Sequence, residues 1–257
     1  MNILLNDLSV RAGKRMLIKN ISTILYHGQI TAVIGENGSG KSTLIKAVAG
    51  LSDHSAAELR YGETPLKKFD LKTLARTRAV VLQNPLIPPG TIAGELLALA
   101  RYAFNCGKTA DRAAIEKAVQ DAGCAEFLNR RLETLSGGEL RRVYLACALA
   151  QKPEILFLDE AEANTDAVFR ASFPGLLKRL QQERQLTVIM VTHDLDLALN
   201  TADRIIGLKS GELGIDVDLS APDAIEKLTA FTGKMWDFFP GKDGTMRALP
   251  GFSSRNL

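Results

Sequence analysis

The chain has 257 residues, 46% of them hydrophobic, and a formal net charge of +3. That length supports one large core or a core with a subdomain, and a charge this small, without a polybasic block, argues against a nucleic-acid partner. No run approaches the ~18 apolar residues needed to cross a bilayer, and the opening MNILLNDLSV lacks a basic region ahead of an apolar stretch, so neither a membrane span nor a secretory leader is expected. The three cysteines, Cys106, Cys124 and Cys147, have no CxxC spacing and sit in helical-looking segments, which suits buried thiols in a reducing compartment.

Residues 3–10 and 17–26 alternate or run apolar in strand fashion around a turn at 12–14. The β-branched run at 30–34 predicts a buried strand, and it leads into GENGSGKST at 35–43 and then a helical pattern at 44–49. Strand, glycine-rich loop and helix form an anion trap. Gly35, Gly38 and Gly40 let backbone N–H groups curl around phosphate oxygens, the helix start directs its positive end at them, and Lys41 adds a full charge. Ser42 stands where its hydroxyl can hold Mg²⁺.

A strand is expected at 80–82, followed by Gln83. From there to Leu135 the pattern is helical, with Ile92, Leu96 and Leu99 on one predicted face and Ile115 and Val119 on another. LSGGE at 135–139 reads as a helix start: Ser136 caps a helix running to about Gln151, and Gly137 and Gly138 let its N-terminus approach an anion. The apolar strand at 155–158 ends in Asp159 and Glu160, carboxylates suited to a metal held by phosphate and to orienting a water.

An amphipathic segment at 173–182 precedes strands at 187–191 and 204–208, and this alternation implies a largely parallel sheet. His193 follows the first of these strands. Phe231, Trp236, Phe238 and Phe239 cluster within 229–239, expected as a C-terminal helix packed on its own domain, with a docking element as the alternative. Residues 241–257 lack periodicity and are expected to be loosely ordered.

GENGSGKST, Gln83 after its strand, LSGGE, ILFLDE at 155–160 and TVIMVTHD at 187–194 stand in the order of an ABC-type ATPase subunit, which the chain resembles over nearly all of residues 1–215. The resemblance implies an α/β P-loop NTPase fold of ABC type spanning 1–240. Its largely parallel sheet would be joined by an N-terminal antiparallel β-subdomain and an inserted helical subdomain at about 84–135. It implies that Lys41, with Gly35, Glu36, Asn37, Gly38, Ser39, Gly40, Ser42 and Thr43, holds the phosphates of ATP. Ser42, Gln83 and Asp159 would serve Mg²⁺, Glu160 would be the catalytic carboxylate, and His193 would contact the γ-phosphate.

The same resemblance implies that Ser136, Gly137, Gly138 and Glu139 address ATP bound by a second subunit, a second copy or a homologous ATPase, in a head-to-tail dimer that also uses the loop of Asn164 and Asp166. A separate membrane permease would tether the chain to the inner face of the cell membrane, and a solute-binding protein would act through that permease.

Two departures stand out. The family's adenine-stacking aromatic is replaced by Ala12, leaving Arg11, through its guanidinium plane, or Tyr26 to approach the base. In EAEANTD at 160–166, Ala161 stands where the family commonly has Pro, expected to loosen the turn, and Thr165 alters a contact expected at the dimer seam.

LARTRAVVLQ at 74–83, ARY at 100–102 and HDLDLALNTADRIIGLKSGEL at 193–213 are similar to the ATPase subunits of bacterial importers for iron chelates, haem or cobalamin. The alternatives are a soluble ABC-type ATPase that assembles or remodels a cytosolic complex, and a regulatory module that hardly hydrolyses. The presence of Glu160 and His193 argues against the last.

Overall fold

The computed structural model describes residues 1–104, 106–163, 165–233, 236–241 and 245–250. Two compact units divide the chain, one of Met1–Leu66 with Ile189–Leu257 and one of Lys67–Val188. The first unit opens with β1 (Ile3–Ala12), β2 (Arg15–Leu25), β3 (Ile30–Gly35), α1 (Lys41–Val48), β4 (Glu58–Tyr61) and β5 (Thr64–Pro65). The second holds α2 (Leu71–Thr77), β6 (Arg78–Val81), α3 (Ala93–Ala100), α4 (Lys108–Ala122), α5 (Gly137–Ala150), β7 (Ile155–Asp159) and α6 (Ala167–Arg184). β8 (Thr187–Val191) begins in the second unit and leads back to the first, which closes with α7 (Leu195–Thr201), β9 (Arg204–Lys209), β10 (Glu212–Asp218), α8 (Ala224–Thr232), β11 (Trp236–Pro240) and β12 (Met246–Pro250).

In the first unit β1 and β2 form a hairpin whose Ala12↔Arg15 pair closes on Gly13 and Lys14, and β4 and β5 extend it into an antiparallel sheet of order β2-β1-β4-β5. The same unit carries the parallel β3–β9 pair, edged by antiparallel β10. Ile30, Ala32, Val33 and Ile34 of β3 are buried, as are Ile205, Ile206 and Leu208 of β9, the continuous apolar pattern of strands covered on both faces. In the second unit β6 and β7 pair parallel, Val81 opposite Leu158. The result is the expected α/β architecture with an N-terminal antiparallel sheet and mostly parallel strands elsewhere.

Several expectations are corrected. In α3 the buried side chains are Ala93 and Leu97, while Leu99, predicted to share an inner face with Ile92 and Leu96, is 64% exposed. Positions 97 and 99 lie about 200° apart around a helix, so burying one turns the other outward. The span 229–239 is not one helix: α8 ends with Gly233 as its C-cap and a strand, β11, starts at Trp236.

Phe231 packs on its own unit, so closely over β9 that a Cβ on Gly207 would come within 2.5 Å of its ring. Within 241–257, expected to be loosely ordered, 246–250 form β12 instead. α7 supplies the reason: Asn200 Nδ2 donates to Met246 O at 2.8 Å, Met246 N donates back to Asn200 Oδ1 at 3.1 Å, and Ala248 N donates to Asp196. Residues 242–244 and 251–257 lie outside the described residues.

Candidate functional site

In the first unit the buried strand β3 delivers the chain to the loop Gly35–Gly40, and α1 begins at Lys41. Gly40 stands at φ 104°, and a Cβ there would lie 2.6 Å from Ile18 Cδ1 of β2, so only glycine lets the loop turn this tightly against the hairpin. Lys41 is only 6% exposed, and its Nζ donates to Gly35 O at 2.8 Å and Glu36 O at 2.9 Å. The loop's own carbonyls thus orient the ammonium across its mouth. Ser42 and Thr43 follow in the first turn of α1, half-buried, beside backbone N–H groups that have no intrahelical acceptor.

Ser39 Oγ is buried without a hydrogen-bond partner among the described residues. An orphaned hydroxyl inside a loop lined by N–H groups and an ammonium is what a phosphate oxygen would satisfy. A cavity of about 430 Å³ opens beside the loop, lined by Gly35, Glu36, Asn37, Gly38 and Ser39 together with Thr192 and His193. His193 is exposed between β8 and α7, while Asp194, its neighbour, caps α7 by accepting from Leu197 N at 3.0 Å. Of the predicted residues, His193 is therefore brought to the phosphate loop, and Asp194 serves the helix behind it.

The hairpin separates the two candidates for the base. Arg11 is exposed near the turn, opposite Met16, and its Nε donates to Met16 Sδ at 2.8 Å. The neighbouring Leu17 and Ile18 touch the phosphate loop at Gly40. Tyr26 follows the other end of β2, under Arg204, whose guanidinium lies 5.1 Å from its ring centroid. Arg204 pairs with Thr31 near the start of β3, and the loop begins where that strand ends, at Gly35. Tyr26 O accepts from Gln29 N at 3.3 Å just ahead of β3, so Tyr26 stands toward the end of that strand opposite the loop, engaged by Arg204.

The second unit holds the acidic pair. All of β7 is buried, including Asp159 at 1% exposure, and Glu160 follows it half-buried at φ 52°, a left-handed conformation uncommon for a residue with a Cβ. Gln83 Nε2 donates to Glu160 Oε2 at 2.7 Å. Ala163 N donates to Glu160 O at 3.2 Å, closing a turn in which Ala161 is buried at 3% exposure. Ala161, expected to loosen the turn, occupies a packed position. Thr165, expected to alter a dimer seam, is also buried and donates its hydroxyl to Glu162 O at 2.6 Å. Asp166 caps α6 by accepting from Phe169 N at 2.8 Å and pairs with Arg142. Those two donors, the backbone amide first, hold its carboxyl below the usual range. Asn164 lies outside the described residues.

Ser136 and Gly137 are exposed at the start of α5. Ser136 Oγ accepts from Glu139 N at 3.3 Å while Glu139 accepts from Ser136 N at 2.7 Å, a reciprocal cap. Arg130 adds a bond to Glu139 at 2.8 Å, and the Ser136 amide and then Arg130 hold that carboxyl below its ordinary value. Glu139 is thus engaged in shaping the helix start, and the S-x-x-E spacing already carried that signal. Sequence reasoning missed Arg141 and Arg142 of α5. Arg141 donates to Ala163 O and, at 3.5 Å, to Gln83 O, while Arg142 reaches Asp166 and Gly123 O. Nothing in their spacing distinguishes them from surface arginines.

The residues expected to serve Mg²⁺ each offer oxygen, the Ser42 hydroxyl in the first unit and the Asp159 carboxylate and Gln83 amide in the second, the donor chemistry of that ion. Among the described residues no cluster of His, Cys, Asp and Glu suggests another metal.

Residues 18–163 match the family described as ABC transporter. The chain is 32% identical over 229 residues to the iron(3+)-hydroxamate import ATP-binding protein FhuC of Bacillus subtilis (strain 168), covering 86% of this chain and 85% of that one. It is 34% identical over 219 residues to the aliphatic sulfonates import ATP-binding protein SsuB 2 of Pseudomonas aeruginosa (strain UCBPP-PA14), covering 85% and 76%. Among solved structures it is similar to the dimeric ATP-binding cassette MJ0796 in a post-hydrolysis state bound to ADP and Pi, with a TM-score of 0.78 and 27% identity over 86% of this chain and all of that one. A phosphate loop, an acidic strand end and an LSGGE helix start on this fold define an ATP-hydrolysing cassette. The chain belongs to the ABC transporter family, and within it is an ATP-binding subunit, an ATPase.

Proposed function

We propose that this subunit drives import through a separate membrane permease, as a head-to-tail dimer with a second copy or a homologous ATPase, and that the solute is an iron chelate, haem or cobalamin, with an iron chelate as the first to test. Among the described residues no helix is long and apolar enough to cross a membrane, so passage requires a partner. The observation that carries the transporter reading is a pair of exposed large apolar side chains on the second unit, Leu71 at 86% and Tyr102 at 85%. Leu71 and Tyr102 line an open groove of about 1040 Å³ with Arg101 and Ile115. Exposed large apolar side chains gathered at a groove suit a docking helix. For the solute, support comes from FhuC, named for iron(3+)-hydroxamate import.

In this reading Lys41 and the loop amides bind the β- and γ-phosphates, and Ser39 Oγ completes the cradle. Ser42, Gln83 and Asp159 would hold Mg²⁺, which when bound neutralises charge building on the phosphate oxygens. Glu160 orients and polarises the attacking water, His193 contacts the γ-phosphate, and Arg11 covers the base. Ser136, Gly137 and Gly138 meet the nucleotide of the opposite subunit, near the turn of Asn164 and Asp166. A solute-binding protein would deliver cargo to the permease, and the cassette would sit on the cytoplasmic face.

The test is purification of the tagged chain from detergent-solubilised membranes, with uptake of radiolabelled iron hydroxamate in cells lacking and regaining the gene. A co-purified permease and restored uptake are expected. Recovery only in a soluble complex would replace transport with remodelling, and a permease without hydroxamate uptake would reassign the solute.

A further inference from the structure

We propose that Arg141 is a positioning residue for ATP hydrolysis, holding the turn that carries Glu160 in register with Gln83. The inference rests on the reading of Glu160 as the carboxylate that activates water. Arg141 lies one turn into α5 and is only 9% exposed. One guanidinium nitrogen donates to Ala163 O, three residues past Glu160, and the other donates to Gln83 O at 3.5 Å. Gln83 is also the residue whose side chain donates to Glu160 Oε2 at 2.7 Å. A single planar fork therefore ties together both segments that fix the carboxylate, one through Gln83 and one through the turn.

The turn begins in a strained conformation. Glu160 stands at φ 52° without glycine's freedom, a conformation that persists only where its surroundings hold it. The bond from Ala163 N to Glu160 O closes the turn upon itself. Arg141 supplies an attachment to a helix that is held by packing, since Leu140, Val143 and Leu145 are all buried. Its neighbours act further out: Arg142 pairs with Asp166 and Tyr144 donates to Leu86 O. Of the three, Arg141 alone reaches both segments. Its Nε is buried without a hydrogen-bond partner among the described residues, a cost retained at a position where an apolar residue would have none. Lysine could reach one carbonyl but not both with fixed geometry.

The experiment is steady-state Mg-ATP hydrolysis by the full chain, comparing wild type with Arg141→Met, Arg141→Lys, Glu160→Gln and the double variant Arg141→Met/Glu160→Gln, with circular dichroism on each. Arg141→Met is expected to lower kcat about 10–100-fold while KM for ATP stays within about twofold, because the phosphate loop is untouched and only the placement of the carboxylate is lost. Arg141→Lys should recover part of that loss. In the Glu160→Gln background, Arg141→Met should cost nothing further, since the group it positions is already gone.

A kcat unchanged in Arg141→Met, or the same fold-loss added on top of Glu160→Gln, overturns the proposal. Should Arg141→Met fail to fold, Arg141→Lys decides: intermediate kcat at constant KM supports positioning, and wild-type kcat refutes it. If Glu160→Gln alone turns over normally, the reading of Glu160 fails and takes this proposal with it, an outcome distinct from a failure of Arg141 only.

Discussion

Gln83 and Glu160 meet just beyond the carboxyl ends of the parallel strands β6 and β7. The register ends with Val81 opposite Leu158, and two residues further along each chain the Gln83 amide donates to the Glu160 carboxylate at 2.7 Å. The backbone that runs on from Gln83 to the exposed Leu86 is thereby connected to the proposed catalytic carboxylate. Replacing Glu160 by Gln preserves size and this pairing but removes the charge that polarises water. ATP should still bind, with turnover falling about 100-fold or more, and the nucleotide-bound species should elute as a dimer. Unchanged turnover together with a monomeric elution profile in Mg-ATP would remove both the catalytic assignment and the two-subunit sandwich.

Lys41→Ala should abolish tight nucleotide binding. The ammonium is fixed by Gly35 O and Glu36 O at the mouth of the loop, and alanine leaves neither charge nor a substitute donor. Calorimetry with ATP measures the loss directly, and near-normal affinity would contradict the loop's assigned role.

Much of this was legible in the sequence, because strand, loop and helix at 30–49 and the acidic end of β7 are local patterns whose chemistry and geometry coincide. LSGGE likewise announced its cap through the Ser136–Glu139 spacing. What was not legible depends on long-range register: Arg141 looks like any helical arginine until α5 packs beside the turn at 160–163. Leu99 illustrates the same limit at short range, since the apolar face of α3 was set by Ala93 and Leu97 finding cover, not by the largest side chains in the repeat. The strand β12 needed partners on α7, and no period in 241–257 could name them.

The three thiols should behave as two classes. Cys106 is exposed, whereas Cys124 and Cys147 are buried, and burial pushes their thiols up to about 11 and about 12. In the native protein one thiol is expected to react quickly with an aromatic disulfide reagent near neutral pH, and all three after denaturation. The same shifts carry a stability consequence. A native pKa above the unfolded value of about 8.5 favours the protonated, folded form, so this contribution is complete below about pH 8.5 and is lost progressively as pH rises toward the native values. Urea midpoints measured across that window should fall less when both Cys124 and Cys147 are replaced by Ala. An identical alkaline slope would assign the loss to other groups.

The base contact can be decided at the tip of the first hairpin. Arg11 and Ala12 lie at the end of β1, by the strand whose Leu17 and Ile18 touch the phosphate loop, while Tyr26 is held under Arg204 beyond the far end of β3. Tyr26→Ala should therefore leave ATP affinity unchanged. Arg11→Ala should weaken it several-fold if the guanidinium covers the base, and Ala12→Tyr should tighten it, since stacking of a base on an aromatic ring contributes about 1–3 kcal/mol. Competition between ATP and GTP is the sensitive measurement, because phosphate contacts are common to both and only the base differs. A change of the same size for both nucleotides on Arg11→Ala would assign Arg11 to the phosphates through its charge, and a loss on Tyr26→Ala would require the hairpin to present its other end to the nucleotide.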